Sequence, residues 1–289
     1  MTDIEQKNQI SEYHRRCALG LNPDPLIERV DLISLAGEER YRNAVLCEEI
    51  KDTTYSLIRD INLQFYVPSR RLLWQALGQE YIEPDQLDFI DHIPDDAIYY
   101  DVGASNGLFA VYAAATRKKV YCFEPDASNY FLLSYNSFLN HQCFRHPLKF
   151  FNVALTDEGG IGSIYIEKFE VGGHLKILDQ PIKRCDRKFT PDFVQPTLKY
   201  RMDDFIDFTG LEKPEYIKID VDGSEKKILS GMQNTLGYDG LKKIFIELDE
   251  SGEQFEYCKS VLEYYDFRIE SHKRVQNYFG EENFVFSRN

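Results

Sequence analysis

The spacing of apolar positions changes character near Pro94. Before it, Leu26, Ile27, Val30, Ile33 and Leu35 recur at helical spacing, and Ala44, Val45, Leu46 and Ile50 continue the stripe. Runs around Leu57, Ile58 and Ile61 and at Leu72, Leu73, Trp74, Ala76 and Leu77 predict further helix, with Pro68 as a boundary. After Pro94, short apolar runs that read as strands alternate with helical stripes. Strands are expected at 98–102, 119–123, 150–155, 216–219 and 243–248, and short ones at 267–269 and 283–286. Helices are expected at 108–115, 129–140, 203–208 and 225–236, and over the stripe Phe255, Cys258, Val261, Leu262 and Tyr265. Residues 161–169 read as a hairpin or loop excursion, and the glycines, prolines and mixed charges of 172–196 as a long connection.

Strand and helix in alternation imply an α/β chain. The expected fold is a Rossmann-like, doubly wound, mainly parallel seven-stranded sheet whose final strand runs antiparallel, carrying an N-terminal helical extension. Residues 1–92 form the helical accessory region in this division and 93–289 the sheet domain. The apolar face of the accessory region can be buried within the chain or across the boundary of a homo-oligomer.

Composition narrows the partners. With 48 acidic against 34 basic side chains, the formal net charge is -14. That balance argues against nucleic acid, which needs clustered positive charge; the local exception is Lys183, Arg184, Arg187 and Lys188, a pattern typical of a solvated loop. No stretch approaches the run of about 18 apolar residues that a transmembrane span requires. The polar start, with Asp3, Glu5 and Lys7, does not resemble a secretory signal, and six scattered cysteines without a close pair fit reduced thiols. The expected location is therefore the cytoplasm.

Candidate chemistry begins at Asp101-Val-Gly-Ala-Ser-Asn-Gly107, a turn from strand into helix. Gly103 and Gly107 leave room for a ligand to approach the backbone, and Ser105 and Asn106 sit where the next helix presents unpaired amides. Asp101, at the carboxyl end of its strand, can accept from the amino group of a methionine moiety. Glu124 follows 23 positions later at the end of the second strand, where a carboxylate can bind ribose hydroxyls. Pro125 then forces a turn, and Asp157 is placed to accept from an adenine amino group. Dinucleotide and S-adenosylmethionine cofactors both use such chemistry. The incomplete Gly-x-Gly-x-x-Gly fingerprint and the negative Asp101 count against a pyrophosphate, so a nicotinamide-dependent oxidoreductase is the weaker reading. A noncatalytic nucleotide-binding or assembly module stays open as well.

Order and placement of three motifs carry more than any one of them. Asp101-Val-Gly-Ala-Ser-Asn-Gly107, Phe123-Glu-Pro125 and Tyr216-Ile-Lys-Ile-Asp-Val-Asp-Gly-Ser-Glu225, with Ile244-Phe-Ile-Glu-Leu248 and the terminal strand, resemble the FkbM family of S-adenosylmethionine-dependent methyltransferases over about 81–286. The resemblance implies S-adenosyl-L-methionine as cofactor and methyl transfer to oxygen, commonly a sugar hydroxyl or another small-molecule hydroxyl. A nitrogen, carboxylate or macromolecular acceptor is the alternative within the same class. The family usually carries Asn where this chain has Ser105 and Glu where it has Asp222.

Methyl transfer needs an aligned nucleophile and often a group that takes its proton. Asp220, Lys218 and Asp222 cluster at the end of one strand, and Lys218 and Asp220 point to the same side. Asp220 reads as a base or a positioning group, Lys218 as its counter-charge, Asp222 as a turn former, and Glu225 as a helix cap or acceptor anchor. Glu247, where the resemblance also places an acid, is a candidate to orient substrate. His174, in the long connection, is a further acid-base candidate. Asp220 and Asp222 alone do not specify a metal, and no metal is expected.

Overall fold

A computed structural model describes residues 53–173, 176–182, 188–250, 253–274 and 281–288. The apolar stripes expected at 26–50, His174, Lys183, Arg184 and Arg187 lie outside the described residues.

The described chain opens on an antiparallel hairpin, β1 (Thr53–Ile58) and β2 (Ile61–Tyr66). A hairpin here departs from the helix expected around Leu57, Ile58 and Ile61. Ser56 and Ile58, then Leu63 and Phe65, are buried while Tyr55 and Leu57 face outward, the alternation of a half-buried strand. Its turn residues, Arg59 and Asp60, have φ of 46° and 70°, the left-handed pair that tight hairpins need. Helices α1 (Arg70–Ile82) and α2 (Pro84–Asp91) follow. The Ser69 hydroxyl caps α1 by accepting from the Leu72 N–H at 3.2 Å, and Pro84 opens α2, where its missing N–H costs nothing.

The alternating part runs β3 (Ile98–Val102), α3 (Leu108–Ala115), β4 (Lys119–Phe123), α4 (Ala127–Asn140), β5 (Lys149–Phe151), β6 (Ala154–Leu155), β7 (Gly160–Ile166), β8 (Lys176–Leu178), β9 (Phe193–Tyr200), α5 (Met202–Thr209), β10 (Tyr216–Ile219), α6 (Glu225–Ser230), α7 (Gln233–Leu236), β11 (Lys243–Asp249), α8 (Glu253–Tyr264), β12 (Phe267–Arg274) and β13 (Glu281–Arg288). Seven strands form one sheet in the order β12-β13-β11-β10-β3-β4-β5. The run from β11 to β5 is parallel, while β13 lies antiparallel to both β11 and β12. The doubly wound sheet and its antiparallel last strand match the sequence reading.

Both faces of this sheet are covered, so its strands are apolar almost throughout. Tyr100, Val102, Phe123, Ile217 and Ile219 pack on one face, and Tyr99, Val120, Cys122, Tyr216 and Phe245 on the other. The second face meets α3 and the β1–β2 hairpin. Residues 150–155, expected as one strand, split between two sheets: β5 ends the main sheet, and β6 joins β9, β7 and β8 in a four-stranded sheet. In that second sheet β7 falls on the excursion expected at 161–169, and β8 and the start of β9 fall on the expected long connection. The helix expected over 225–236 breaks at Gly231 and Met232 into α6 and α7.

From β3 the chain moves to β4 on one side, while β10 lies on the other. The strand order therefore reverses between β3 and β10, and the crevice beyond their carboxyl ends is the place where open sheets of this kind bind ligands.

Candidate functional site

Register brings the first pair of charges together. Lys218 on β10 stands opposite Asp101 on β3, and both side chains point to the face that carries Tyr99 and Tyr216. The Lys218 Nζ is 3.3 Å from an Asp101 oxygen and 3.3 Å from an Asp220 oxygen, and it donates to the Gly103 carbonyl at 2.8 Å. Burial disfavours that ammonium, but Asp220, Asp101 and Glu83 outweigh it and hold it above the ordinary lysine value. Burial pushes the Asp101 carboxyl up, partly offset by Lys218. Asp220 keeps 31% of its side chain exposed against 1% for Asp101, so it alone of the pair can meet an incoming molecule.

Gly103 and Gly107 have φ of 80° and 79°. The space beside each is filled by protein: a Cβ at Gly103 would lie 1.9 Å from the Asp220 carbonyl oxygen, and one at Gly107 would lie 2.4 Å from Leu133. Their glycine requirement thus comes from backbone conformation and the close approach of the chain to itself.

A second cluster forms at the end of β4. The two oxygens of Glu124 accept from the backbone N–H groups of Ser105 and Asp126, each at 2.8 Å. Burial nevertheless pushes this carboxyl up to about 7, against the N–H of Asp126, Lys176 and the N–H of Ser105. Asp126 caps α4 through the N–H of Asn129 and is bonded by the Lys176 Nζ at 2.6 Å; these contacts overcome its burial and hold it below the usual carboxylate range.

A cavity opens between these clusters. Its lining includes Glu124, Pro125 and Asn129, the apolar Val153, Ala154 and Leu155, and Gly103, Ser105, Asp220 and Asp222. A buried Asn129 oxygen within it has no partner among the described residues. Polar groups at Glu124 beside an apolar slot suit a ribose with its attached base, and the unpaired Asn129 oxygen offers a further acceptor, so the residues fit an adenosine cofactor. Gly103, Ser105 and Asp220 also border a smaller neighbouring cavity that reaches Asp101, Asn106 and Lys218.

Of the residues expected at the cofactor, Asp101, Gly103, Ser105, Asn106, Glu124 and Pro125 line these two cavities, whereas Gly107 and Asp157 line neither. Asp157 is exposed and accepts from the Thr156 hydroxyl. Among the acid-base candidates, Asp220, Lys218 and Asp222 are brought together. Glu225 is fully buried under the turn, where it accepts from the Gly223 N–H and from Gln254. Glu247 lies on β11 opposite Asn283 and lines neither cavity. Sequence reasoning missed Asn129, Lys176 and the polar residues of α1 and α2; an Asn and a Lys in ordinary amphipathic segments carry no signal of their own.

Residues 101–286 match the family model described as the Methyltransferase FkbM domain. A curated relative, Methyltransferase 1 of Beauveria bassiana (strain ARSEF 2860), is 25% identical over 190 residues, which is 61% of this chain and 74% of that protein. Among solved structures, the methyltransferase FkbM from Methylobacillus flagellatus KT aligns with a TM-score of 0.47 at 15% identity, over 68% of this chain; the chain spans 45% of that longer one. Magnesium protoporphyrin IX methyltransferase from Synechocystis PCC 6803, solved with bound S-adenosylmethionine, aligns with a TM-score of 0.44 at 9% identity, over 76% of this chain and 82% of that one.

Proposed function

The chain belongs to the FkbM family, and its residues 101–286 are an S-adenosylmethionine-dependent methyltransferase domain; from that premise we propose that it methylates a hydroxyl oxygen of a carbohydrate or another small molecule. The observation that carries the acceptor reading is Asp220, a partly exposed carboxylate on the rim shared by both cavities, fixed by a buried ammonium behind it. When bound, S-adenosylmethionine supplies a methyl group on a positively charged sulfur.

Glu124 and Ser105 would hold its ribose, and Val153, Ala154 and Leu155 its adenine. Asp220 orients the acceptor hydroxyl and takes its proton on a carboxylate oxygen, while Lys218 fixes that oxygen in place. Asp222, at φ 44°, shapes the turn beside them and accepts from the Lys176 N–H. A net charge of -14 supports a neutral acceptor over a polyanion such as nucleic acid. Cys122, Cys143 and Cys258 are unpaired thiols, which supports a reducing compartment such as the cytoplasm.

Incubation with S-adenosylmethionine and a panel of sugars and glycosides should release S-adenosylhomocysteine and give an O-methyl ether visible by mass spectrometry and NMR. A methyl group found only on nitrogen or carboxylate acceptors would overturn the hydroxyl assignment. Calorimetry that detects nicotinamide dinucleotide binding and no S-adenosylhomocysteine binding would remove the premise itself.

A further inference from the structure

Helices α1 and α2 precede the residues that the family model matches, yet they build one wall of the smaller cavity. Gln75 and Gln79 on α1, Glu83 between the helices and Gln86 on α2 all line it, facing Asp101, Lys218 and Asp220. Gln75 is engaged, accepting from the Asn106 side chain at 2.9 Å and donating to the Gly172 carbonyl. Gln79 differs. It is 1% exposed, and neither its Nε2 nor its Oε1 has a partner among the described residues. Burial of a carboxamide with both ends unpaired is costly, and such a group marks a place where a polar ligand completes the bonding.

The charges in the same cavity are unequal. Lys218 is already shared by Asp101 and Asp220. Glu83 adds a third carboxylate, and Asp85 a fourth nearby. Burial and then Asp220, opposed by Lys218 and reinforced by Asp85 and Asp101, push the Glu83 carboxyl up to about 8. Three carboxylates share one ammonium on this wall, and an unpaired amide lies beside them. Because Gly103, Ser105 and Asp220 border both cavities, one molecule with its ribose at Glu124 can pass them and end here.

We propose that Gln79 and Glu83 bind the amino-acid end of S-adenosylmethionine, Glu83 accepting from its ammonium and Gln79 donating to its carboxylate. This assignment rests on the cofactor reading above and extends the site into helices outside the family match. It makes the chain selective for the complete cofactor over adenosine thioethers that lack the amino-acid end.

Calorimetry with S-adenosylhomocysteine and 5′-methylthioadenosine, which lacks that end, tests it. Gln79→Met and Glu83→Gln should each weaken S-adenosylhomocysteine by about tenfold while leaving 5′-methylthioadenosine within about twofold. Glu124→Ala should weaken both ligands. In the unaltered protein, the preference for S-adenosylhomocysteine over 5′-methylthioadenosine should rise as the pH passes through about 8 and Glu83 ionises, and this rise should be absent in Glu83→Gln. The decarboxylated analogue of S-adenosylhomocysteine should bind the unaltered protein about tenfold more weakly, which tests the Gln79 contact without any substitution. Equal binding of S-adenosylhomocysteine by the two variants and the unaltered protein would overturn the proposal and leave the cofactor reading standing. Failure of the unaltered protein to bind S-adenosylhomocysteine at all would overturn both.

Discussion

The Glu124 wall and the Lys218 wall of the site are both acidic and buried, but they are finished to different degrees. At Glu124 both carboxylate oxygens are bonded by backbone N–H groups, and Lys176 pairs with Asp126 next to it, leaving one oxygen each of Asp126 and Asn129 without a hydrogen bond among the described residues. On the other wall one ammonium serves two carboxylates, both ends of Gln79 lack hydrogen bonds among the described residues, and Glu83 is crowded by like charge. A carboxylate bonded on both oxygens before binding fixes where a ligand sits. A wall that is incomplete has more to gain from the right ligand and more to lose from any internal substitution.

Substitution at the centre of the incomplete wall should show the largest effect. Lys218→Met leaves Asp101 and Asp220 without their cation and should cost about 3–5 kcal/mol of stability in urea melts, since breaking a buried pair strands a charge. A loss below about 1 kcal/mol would mean that the carboxylates are well served without the lysine and that the contrast between the walls is false. Next, Asp220→Asn should lower the transfer rate by about a hundredfold or more while S-adenosylhomocysteine affinity changes little, a split read from single-turnover rates and calorimetry. Unchanged turnover would remove Asp220 from the proton-transfer role and leave it as a positioning group.

The Glu124 wall carries its own signature in pH. The Glu124 carboxyl sits at about 7 in the folded protein against an ordinary 4.5, so the folded state holds its proton more tightly than the unfolded chain. Stability from this group is therefore full below about 4.5, falls as pH rises toward about 7 and is level above that. Glu124→Gln should abolish this decline, worth roughly 3 kcal/mol, in melts recorded between those limits. Parallel curves for the two proteins would show that Glu124 does not titrate as described. The smallest effect is expected at Ser105, whose φ of 50° suits Asn better than Ser. Ser105→Asn should raise stability by about 0.5 kcal/mol, and a clear loss would mean that the serine hydroxyl matters more than the backbone.

How legible these walls were in the sequence follows from what signals each used. Strands β3, β4, β10 and β11 announce themselves as apolar runs because both faces of the sheet are covered, and the turns after β3 and β10 carry Gly, Asp and Ser in a motif order. Glu124 and Asp220 could be placed from that alone. The β1–β2 hairpin was hidden because its turn is Arg59-Asp60 rather than a glycine pair. Tertiary contacts steady it, with the Arg59 N–H on Glu80 at 2.9 Å and its guanidinium on Asp88 at 2.6 Å. Residues 150–155 read as one strand because an apolar run cannot tell which sheet each half will join. Gln79 and Glu83 were invisible for a different reason: polar residues spaced along a helix usually mean a solvated face, and only the tertiary fold turns that face inward.

The contact between Gly103 and the Asp220 carbonyl reaches past conformation. With the turn after β3 pressed against the backbone end of β10, neither loop can be lengthened, shortened or rebuilt without displacing its neighbour. Anyone recasting the specificity of this protein by loop exchange would have to transplant the two segments together, as a single cassette.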